Sequence, residues 1–544
     1  MSQTETKLTK DEPIQSDSQS IQLGIQSDIL KFDDDDAVLR ANGHDAIMPR
    51  QFNWVSALGL GFSITNSWVG YLSCFGQNLT YGGAQTCIFS LIVAFFAQGI
   101  VTVGLGELGS AFPSSGGQYH FCYILSPPRT KKYSAYIVGW LSIFAWWIVT
   151  CSGISLSALV INGIVNFWNP SYVANQWQTY LTYVGVSFVS LLPVFFASKV
   201  AIMTQITLFL SLAGYLIFFI VSIAMHTEQQ PGSFLVQSGL GNSGWNDGTA
   251  WMLSISNAMY AFGGTDGVIH ICEEIPKPAR RVPQVMIMTL VIGLVTSLSL
   301  FIVLMFFMVD LEAVRTAPLP SLELVYQVTG SRKVTLGLFI LLLVVYTMSL
   351  PSQWVSSGRI AWAFARDVSV DILIMRDHGM METNYKFKNG MPFSKYFSQV
   401  HPQLNFPVRT TLAAFIFTCL YGLLYLASTT AFNSIVTSAV LFLNITYTVP
   451  QGILLYCGRQ SLPKRYLDCG RVGYFCNVFS VVWIVLLGVL ICMPPNLPVT
   501  LESMNYTPVI LVGVFVIINF FWLITGRWHF EGPHIDMDLL NSHM

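Results

Sequence analysis

Two apolar stretches of this 544-residue chain are interrupted by small and polar residues: GLGFSITNSWVG at 59–70 and AFGGTDG at 261–267. They lie in the first and the sixth of twelve predicted hydrophobic spans, and therefore at matching positions in two successive sets of five. In lipid every backbone N–H and C=O needs a partner, so a stretch that cannot remain helical is tolerated only where it lines a cavity. Paired interruptions of this kind indicate a substrate site near the middle of the membrane.

The composition around these stretches is that of a membrane protein. Hydrophobic residues make up 53% of the chain and charged residues 10%, whereas a soluble domain carries about 25% charged residues. Runs of roughly 18 or more apolar residues predict membrane helices. We therefore predict an all-α polytopic membrane protein with twelve transmembrane helices, of which helices 1 and 6 are broken, in a transporter domain at 51–526. The predicted spans lie near 54–76, 84–111, 134–167, 178–197, 200–225, 249–271, 285–309, 335–364, 409–427, 431–457, 473–493 and 507–526.

Lysine and arginine predict how these spans are oriented, because short loops rich in the two residues stay in the cytoplasm. They occur in the 2/3, 4/5, 6/7 and 10/11 connections, and most of the alternate connections contain none. The predicted outer loop at 310–334 disagrees with this pattern, since it carries three basic residues. We predict that both termini are cytoplasmic, with a disordered polar tail at 1–50 and a short tail at 527–544.

Several function classes are disfavoured by the composition and the motifs. A net charge of −1 carries no nucleic-acid signature, and the ten cysteines form no CxxC pair. No G-x-x-x-x-G-K-[ST] phosphate loop and no nucleophile–base pair stands out. We therefore expect a transporter driven by gradients rather than an enzyme, with no cofactor and no metal site. The expected partners are a small-molecule substrate and the lipid bilayer, and the sequence leaves the oligomeric state open.

Asp266 is the first candidate site residue. A carboxylate at membrane depth costs about 2.5–3.5 kcal/mol on insertion scales, so it is rare there without a partner or a task. Gly263, Gly264 and Gly267 flank it and allow the backbone to unwind. Three interpretations stay open: a counter-ion for a cationic substrate, a proton carrier that couples transport, and a structural cap or a residue at the cytoplasmic edge.

The other candidates for substrate binding flank the two interruptions. The apolar run of span 1 is broken by Thr65, Asn66, Ser67 and Trp68. An unwound segment presents N–H groups to anions and carbonyls to cations, and the ring of Trp68 can hold an ammonium group. The candidates in span 6 are Tyr260, Phe262 and Gly263. The alternative interpretation of all these residues is ordinary packing between helices.

Acidic residues near the cytoplasmic ends of two spans are candidate gate residues. Glu107 lies near the end of span 2, and Glu273 and Glu274 belong to the hinge HICEEIPKPARRVP at 270–283. We expect the charges of this hinge to be solvated and its prolines to stop the helix. The hinge is therefore interpreted as a gate or a structural clasp.

Several long motifs, in the right order between about 37 and 526, resemble the amino acid–polyamine–organocation superfamily and, within it, the fungal amino acid/choline permease branch. They include LGFSITNSWVG, GELGSAFPSSGGQYH, FGGTDGVIHICEEIPKPARRVPQVM and SSGRIAWAFARD. The resemblance implies a 5+5 inverted repeat, in which spans 1–5 and 6–10 are related by a pseudo-two-fold axis. It also implies proton-coupled uptake of a small amine, with Asp266 linked to coupling or to recognition of the substrate's positive charge.

The chain departs from this resemblance at two places. Amino acid permeases carry glycines in span 1 that expose amides to a substrate carboxylate, but this chain has TNSW at 65–68, which resembles choline permeases and some 4-aminobutyrate permeases. In addition, the residues 368–388 form an atypical cytoplasmic insertion that relatives lack. One hypothesis is that they are encoded by a retained intron, and the alternative is a genuine insertion.

The expected function is import of a small amine nutrient, choline or ethanolamine, across the plasma membrane, driven by the proton gradient or the membrane potential. The alternative substrate is 4-aminobutyrate or another amino acid, and remoter alternatives are thiamine transport and a nutrient receptor that does not transport. A vacuolar or other internal membrane is the alternative location. The choline hypothesis assigns Asp266 and Trp68 to the ammonium group, whereas in the amino acid hypothesis Asp266 titrates and the span-1 backbone holds the carboxylate.

Overall fold

The computed structural model describes residues 35–37, 39–43, 47–196, 200–368, 393–427, 429–500, 504–533 and 535. This part of the chain is helical, with one isolated β-bridge between His401 and Phe406. Ten of its helices are long and apolar enough to cross a membrane. In chain order, spans 2–5 and 7–12 are Gly76–Ala111, Lys131–Trp168, Gln176–Phe196, Val200–Met225, Pro278–Phe306, Arg332–Val368, Val408–Gly422 with its continuation Leu424–Ala427, Thr429–Cys457, Gly470–Cys492 and Thr507–Phe521.

Span 1 is broken at Asn66, which separates the helices Trp54–Thr65 and Ser67–Cys74. Asn66 has φ 32° and ψ 56°, in the left-handed region that asparagine enters more readily than most residues. Its N–H donates to the carbonyl of Phe62 at 2.7 Å, and its own carbonyl accepts from the N–H of Gly70 at 2.9 Å. One residue therefore ends the first half-helix and begins the second.

Span 6 is broken at Gly263 and Gly264. Its first half consists of Asp247–Ala258 and the turn Met259–Phe262, and its second half is Thr265–Glu274. Gly264 has φ 78°, a conformation that glycine adopts at little cost because it has no Cβ. The predicted breaks in helices 1 and 6 are confirmed, and with the other ten spans they complete the twelve-span helical fold.

The two breaks pack directly against each other. A Cβ atom on Gly264 would lie 2.7 Å from Ile64 in span 1, and one on Gly267 would lie 2.5 Å from the same side chain and 2.9 Å from Trp146 in span 3. Ser356 of span 8 donates to the carbonyl of Gly267 at 3.3 Å. Spans 1, 3, 6 and 8 therefore meet at one point, and the close approach leaves no room for larger residues there.

Span 7 begins earlier than its sequence predicts. The predicted helix starts near 285, whereas the observed one starts at Pro278 and contains Pro283. Proline is well suited to the first position of a helix because that residue's N–H has no helical partner, and Pro283 removes one backbone hydrogen bond without ending the helix. The interpretation of these two prolines as stop signals is therefore wrong.

The end of span 2, the start of span 7 and the 10/11 connection lie together on one side of the fold, where Glu107 meets Arg459 and Arg465 and where Arg280 lies 5.0 Å from the ring centroid of Tyr466. We call this the inner side and the opposite one the outer side. The charge pattern predicts that the inner side is cytoplasmic. On the outer side, the expected loop at 310–334 contains two short helices, Leu311–Thr316 and Pro320–Thr329.

The basic residues of this outer segment bind backbone carbonyls, which explains why they are tolerated there. Arg315 donates to the carbonyl of Leu79 at 2.6 Å, just before the non-helical Gly82 and Gly83 interrupt the helix that starts at Gly76. Arg332 donates to the carbonyl of Phe167 in the last turn of span 3. A positive charge at a helix C-terminus is favourable because carbonyls without helical partners concentrate negative charge there. These arginines therefore pair with backbone carbonyls at the outer ends of helices.

The expected tails and insertion fall largely outside the described residues. Of the predicted disordered tail, 1–50, the described part begins at Asp35 and is packed, with Leu39 and Ala41 buried. Of the insertion at 368–388, only the first residue is described, as the end of span 8. In the predicted C-terminal tail, the carbonyl of Glu531 accepts a hydrogen bond from Tyr123 at 2.6 Å.

The contact between the breaks predicts the effect of Gly264→Ala. The substitution places a Cβ in the left-handed region, which costs about 1–2 kcal/mol, and adds a clash with Ile64. We expect a lower apparent melting temperature of the purified protein in detergent, measured by scanning fluorimetry. Gly99→Ala is the control, since nothing lies within 4 Å of a Cβ at that position. Equal melting temperatures for the two variants would contradict the described contact.

Candidate functional site

A cavity lies where the two breaks face spans 3, 8 and 10. Four of the predicted site residues line it, two from each break: Thr65 and Asn66, Tyr260 and Gly263. The other lining residues come from the surrounding spans, and they include Ser152, Gly153, Tyr346, Ser349, Gln353 and Leu443. The described residues that line the cavity carry no formal charge, so any charged substrate meets dipoles and aromatic rings there.

The ends of two half-helices determine which sign of charge the cavity favours. The first half of span 1 ends at Thr65 and the first half of span 6 ends at Phe262, and Ser63, Ile64, Thr65 and Gly263 at these ends line the cavity. The last carbonyls of a helix lack helical partners and carry the negative end of its dipole. Two carbonyl ends therefore converge on the cavity, which favours a positively charged group.

Two tyrosines and one glutamine complete the polar lining. The hydroxyl of Tyr260 lies 3.2 Å from that of Ser152, and the hydroxyl of Tyr346 lies 2.5 Å from that of Ser73. Gln353 differs from them, because its buried Oε1 has no hydrogen-bond partner among the described residues. An unpaired buried acceptor costs about 1–3 kcal/mol, so a ligand that donates a hydrogen bond to it relieves this cost.

Asn66 and Trp68 are joined by a hydrogen-bonded chain to span 5. The indole N–H of Trp68 donates to the hydroxyl of Ser211 at 3.1 Å, and Ser211 donates to Oδ1 of Asn66 at 2.7 Å. The amide of Asn66 donates in turn to Ser349 of span 8 at 3.0 Å. The ring of Trp68 packs against Phe218, with 5.4 Å between centroids, and does not line the cavity.

Two more of the predicted site residues lie outside the cavity. Ser67 packs against Gly293 of span 7, since a Cβ on that glycine would contact the Ser67 side chain. Phe262 packs against Phe95 of span 2, with 5.8 Å between ring centroids. Ser67 and Phe262 therefore face span 7 and span 2, and the structure does not bring them together with the cavity residues.

Asp266 lies three residues beyond the cavity, on its inner side, and is fully buried. One carboxylate oxygen, Oδ2, accepts from the amide of Gln118 at 2.6 Å and from the indole of Trp146 at 3.1 Å. The other, Oδ1, accepts from the hydroxyl of Tyr447 at 2.5 Å. The ring of His270 lies 3.2 Å from Oδ2. The carboxylate is thus held by four elements of the fold.

The candidate gate residues form buried ion pairs on the inner side, which we call the inner clasp. Glu107 accepts from Arg459 and Arg465, each at 2.6 Å. Glu273 pairs with Arg366 of span 8 at 2.8 Å, and it also accepts from the N–H of Ser115 at 3.1 Å. The glutamates are almost fully buried, so the expectation that the charges of the hinge are solvated is wrong for Glu273.

Glu274 makes the most enclosed contact of the inner clasp. It pairs through both carboxylate oxygens with Arg359 of span 8, and both side chains are about 98–99% buried. The amide of Gln51, just before span 1, donates to the same carboxylate at 2.5 Å. Solvation is therefore the wrong expectation for Glu274 too, because the two charged partners leave water together and neutralise each other.

The N-terminal segment covers the inner clasp. Asp35 accepts from the backbone N–H of Lys277 at 2.9 Å, and the carbonyl of Asn42 lies 3.2 Å from the ring of His120. Burial raises the pKa of the Asp35 carboxyl above its usual value, and the hydrogen bond from Lys277 opposes this effect. The cavity is therefore separated from the inner surface by the Asp266 cluster, the inner clasp and this segment.

The sequence of the chain also matches a known protein family. A model of the amino acid permease family matches residues 52–369 and 384–515. The chain belongs to this family of permeases. The match is interrupted at 370–383, which falls inside the atypical insertion. As a member of the family the chain is a multi-pass membrane transporter and not an enzyme.

Individual relatives of this permease are transporters as well. A choline transporter of Saccharomyces cerevisiae is 28% identical over 532 residues, which cover 96% of the permease and 90% of the relative. A 7-keto 8-aminopelargonic acid transporter of the same yeast is 26% identical, with 86% and 91% covered. A swainsonine transporter of Arthroderma benhamiae is 25% identical, with 91% and 96% covered. The fungal amino acid/choline permease branch is thereby confirmed.

The inner clasp predicts a strong effect of Glu274→Gln. The substitution leaves the buried guanidinium of Arg359 without its counter-charge, and removing one partner of a buried pair costs about 3–5 kcal/mol. We expect a lower melting temperature and less permease at the cell surface, measured by scanning fluorimetry and surface labelling. The combined variant Glu274→Gln, Arg359→Gln should recover part of the loss.

Glu312→Gln is the matched control for this prediction. Glu312 pairs with Arg315 on the outer side at 3.2 Å, and its side chain is 62% exposed. An exposed pair contributes about 0–1 kcal/mol, so this variant should behave like the unmodified permease. A Glu274→Gln variant as stable as Glu312→Gln would show that the clasp does not hold the inner side together.

Proposed function

We propose that this permease imports a small amine with a permanent or protonated positive charge, choline in the first place, across the plasma membrane. The observation that carries the proposal is the convergence of two helix carbonyl ends on a cavity without formal charge. The helices that begin after the breaks start at Ser67 and Thr265, and neither residue is among the lining residues. Asn66 and Gly70, at the start of the second half of span 1, do line the cavity, but the N–H of Gly70 is already paired with the carbonyl of Asn66, and the N-terminal end in span 6 lies outside the cavity.

The chemical groups of choline suit the residues that line the cavity. Its quaternary ammonium group is weakly hydrated and donates no hydrogen bond, so carbonyl dipoles and aromatic faces suit it better than a direct ion pair. Tyr260 and Tyr346 supply such faces, and a cation over a desolvated ring gains about 2 kcal/mol or more. Choline also carries one hydroxyl group, which can donate to the unpaired Oε1 of Gln353.

The similarity to named transporters supports the same substrate class. One relative, which matches almost the whole chain, is a choline transporter, and the TNSW segment of span 1 lies in the matched region. The membrane potential favours a monovalent cation by about 2.3 kcal/mol per 100 mV, which corresponds to about 50-fold accumulation. A zwitterion such as 4-aminobutyrate gains nothing from the potential and depends on proton coupling.

Uptake measurements test this proposal. The permease is expressed in a yeast strain that lacks its own choline and 4-aminobutyrate permeases, and uptake of labelled choline, ethanolamine, 4-aminobutyrate and thiamine is compared. We expect saturable choline uptake that collapses when the membrane potential is dissipated. Uptake of 4-aminobutyrate without choline uptake would replace the proposal with amino acid symport, and thiamine uptake alone would overturn both.

Gln353→Leu tests the hydroxyl contact. We expect the KM for choline to rise by about 3- to 10-fold, because a hydrogen bond to a buried neutral group contributes about 0.5–1.5 kcal/mol. Ethyltrimethylammonium, which lacks the hydroxyl, serves as the control ligand in competition assays. The affinity for ethyltrimethylammonium should be the same in the unmodified permease and in Gln353→Leu. An equal loss for both ligands would mean that Gln353 only shapes the cavity.

Asp266→Asn tests the carboxylate. We expect loss of accumulation with the permease still at the cell surface, because the amide keeps the shape of the side chain but carries no charge. Asp247→Asn, at the exposed outer start of span 6, is the control and should transport normally. Normal accumulation by Asp266→Asn would exclude Asp266 both as a coupling residue and as a counter-ion.

A further inference from the structure

His270 lies one turn beyond Asp266 in the second half of span 6 and is completely buried. Its Nδ1 atom lies 3.0 Å from the carbonyl oxygen of Ser115, and its Nε2 atom lies 3.2 Å from Oδ2 of Asp266. The edge of the ring faces Trp146, with 5.6 Å between centroids. Both ring nitrogens thus face oxygen atoms, and the identity of these oxygens determines where the protons are.

The position of the first proton follows from Ser115. A carbonyl oxygen only accepts hydrogen bonds, so Nδ1 must carry a hydrogen to pair with it. In a neutral imidazole with Nδ1–H, the Nε2 atom carries a lone pair. This lone pair would face a carboxylate oxygen, which is also an acceptor. A contact of 3.2 Å between the two therefore requires one more proton, shared by His270 and Asp266.

The other partners of Asp266 decide which residue holds that proton. Gln118, Trp146 and Tyr447 all donate to the carboxylate, at 2.6, 3.1 and 2.5 Å. Hydrogen bonds donated to the charged form of an acid stabilise that form. The carboxylate oxygens act as acceptors in all three contacts, so the hydrogen-bond geometry favours placing the shared proton on Nε2 of His270.

We propose that His270 is a coupling residue, which binds the transported proton on Nε2 against Asp266 while the inner side is closed. The proposal rests on the proposed function of amine import and adds the proton acceptor. Asp266 is then the positioning residue of the pair. Neither side chain lines the cavity, so the amine and the proton occupy separate places.

The proton is released when the inner side opens and water reaches Nε2. The Nε2–H bond breaks, the proton passes to water on the inner side, and the imidazolium becomes a neutral imidazole while the carboxylate stays ionised. The lone pair of Nε2 then faces the carboxylate, and this repulsion loosens the second half of span 6 from Ser115. Protonation from the outer side restores the pair, so one proton moves inward in each cycle.

The groups around His270 leave few other places for the proton. Span 6 itself contributes Asp266 and Glu273, and Glu273 is paired with Arg366 of span 8. Span 10 contributes Tyr447, which donates to Asp266. Span 3 contributes the indole of Trp146, and the segment before Gln118 contributes the carbonyl of Ser115. Of these groups, the imidazole is the one whose ring can hold a proton on either of two nitrogen atoms.

His270→Gln tests the proposal in proteoliposomes that contain the full-length permease and an entrapped pH dye. Glutamine can still donate to Asp266 but binds no transferable proton. In the unmodified permease, choline entry should acidify the lumen. In His270→Gln, choline exchange at equal pH on both sides should continue, while choline-dependent acidification falls at least 10-fold. His226→Asn, at the exposed outer end of span 5, should acidify the lumen normally.

The outcomes separate this proposal from the proposed function. Choline-dependent acidification by His270→Gln at the unmodified rate would overturn the role of His270. Choline entry without acidification in the unmodified permease would also overturn the role of His270, while leaving amine import intact. This measurement does not depend on the folding of any variant. Absence of amine uptake by the unmodified permease would instead overturn the proposed function. His270→Asn, which lacks the reach to Asp266, should lose acidification too.

Discussion

The structure depends on one constraint: backbone N–H and C=O groups inside a lipid bilayer must be paired within the protein or line an enclosed space. The helices of spans 1 and 6 are interrupted at Asn66 and at Gly264, and each interruption leaves several backbone N–H and C=O groups without a helical partner. Part of them is paired locally, as when Asn66 bonds to both half-helices. The rest requires neighbouring spans to enclose the break. The cavity between spans 1, 3, 6, 8 and 10 is therefore a consequence of the breaks.

The same constraint governs where the formal charges lie. A buried charge is costly unless it is paired and hydrogen-bonded, and a charge in the wall of a substrate cavity would lose its partners each time the cavity opens. In this permease the buried glutamates of the inner half are paired with arginines below the cavity, as in Glu274 with Arg359, and the described wall of the cavity is neutral. The polarity of the cavity comes from helix ends, which need no counter-ion.

Hydropathy and glycine content were sufficient to predict the spans and the two breaks, because each is a local property of the sequence. The orientation of single side chains was less predictable. Asn66 turns the backbone into the left-handed region, which resets the direction of the following side chains, and Trp68 consequently faces Phe218 of span 5. Gln353 has no local signal at all. His270 has no local signal either, because its place beside Asp266 and Ser115 depends on tertiary contacts.

Separating the proton from the amine has an electrostatic advantage. Two unit charges about 4 Å apart repel by about 4 kcal/mol at an effective dielectric constant of 20, and the repulsion falls in inverse proportion to distance. A cation in direct contact with Asp266 would compete with the proton for one carboxylate, which favours exchange of one for the other. When the proton lies on His270, the pair with Asp266 has no net charge, and the cation above it meets a dipole. Both positive charges can then be bound at once, which is what joint import requires.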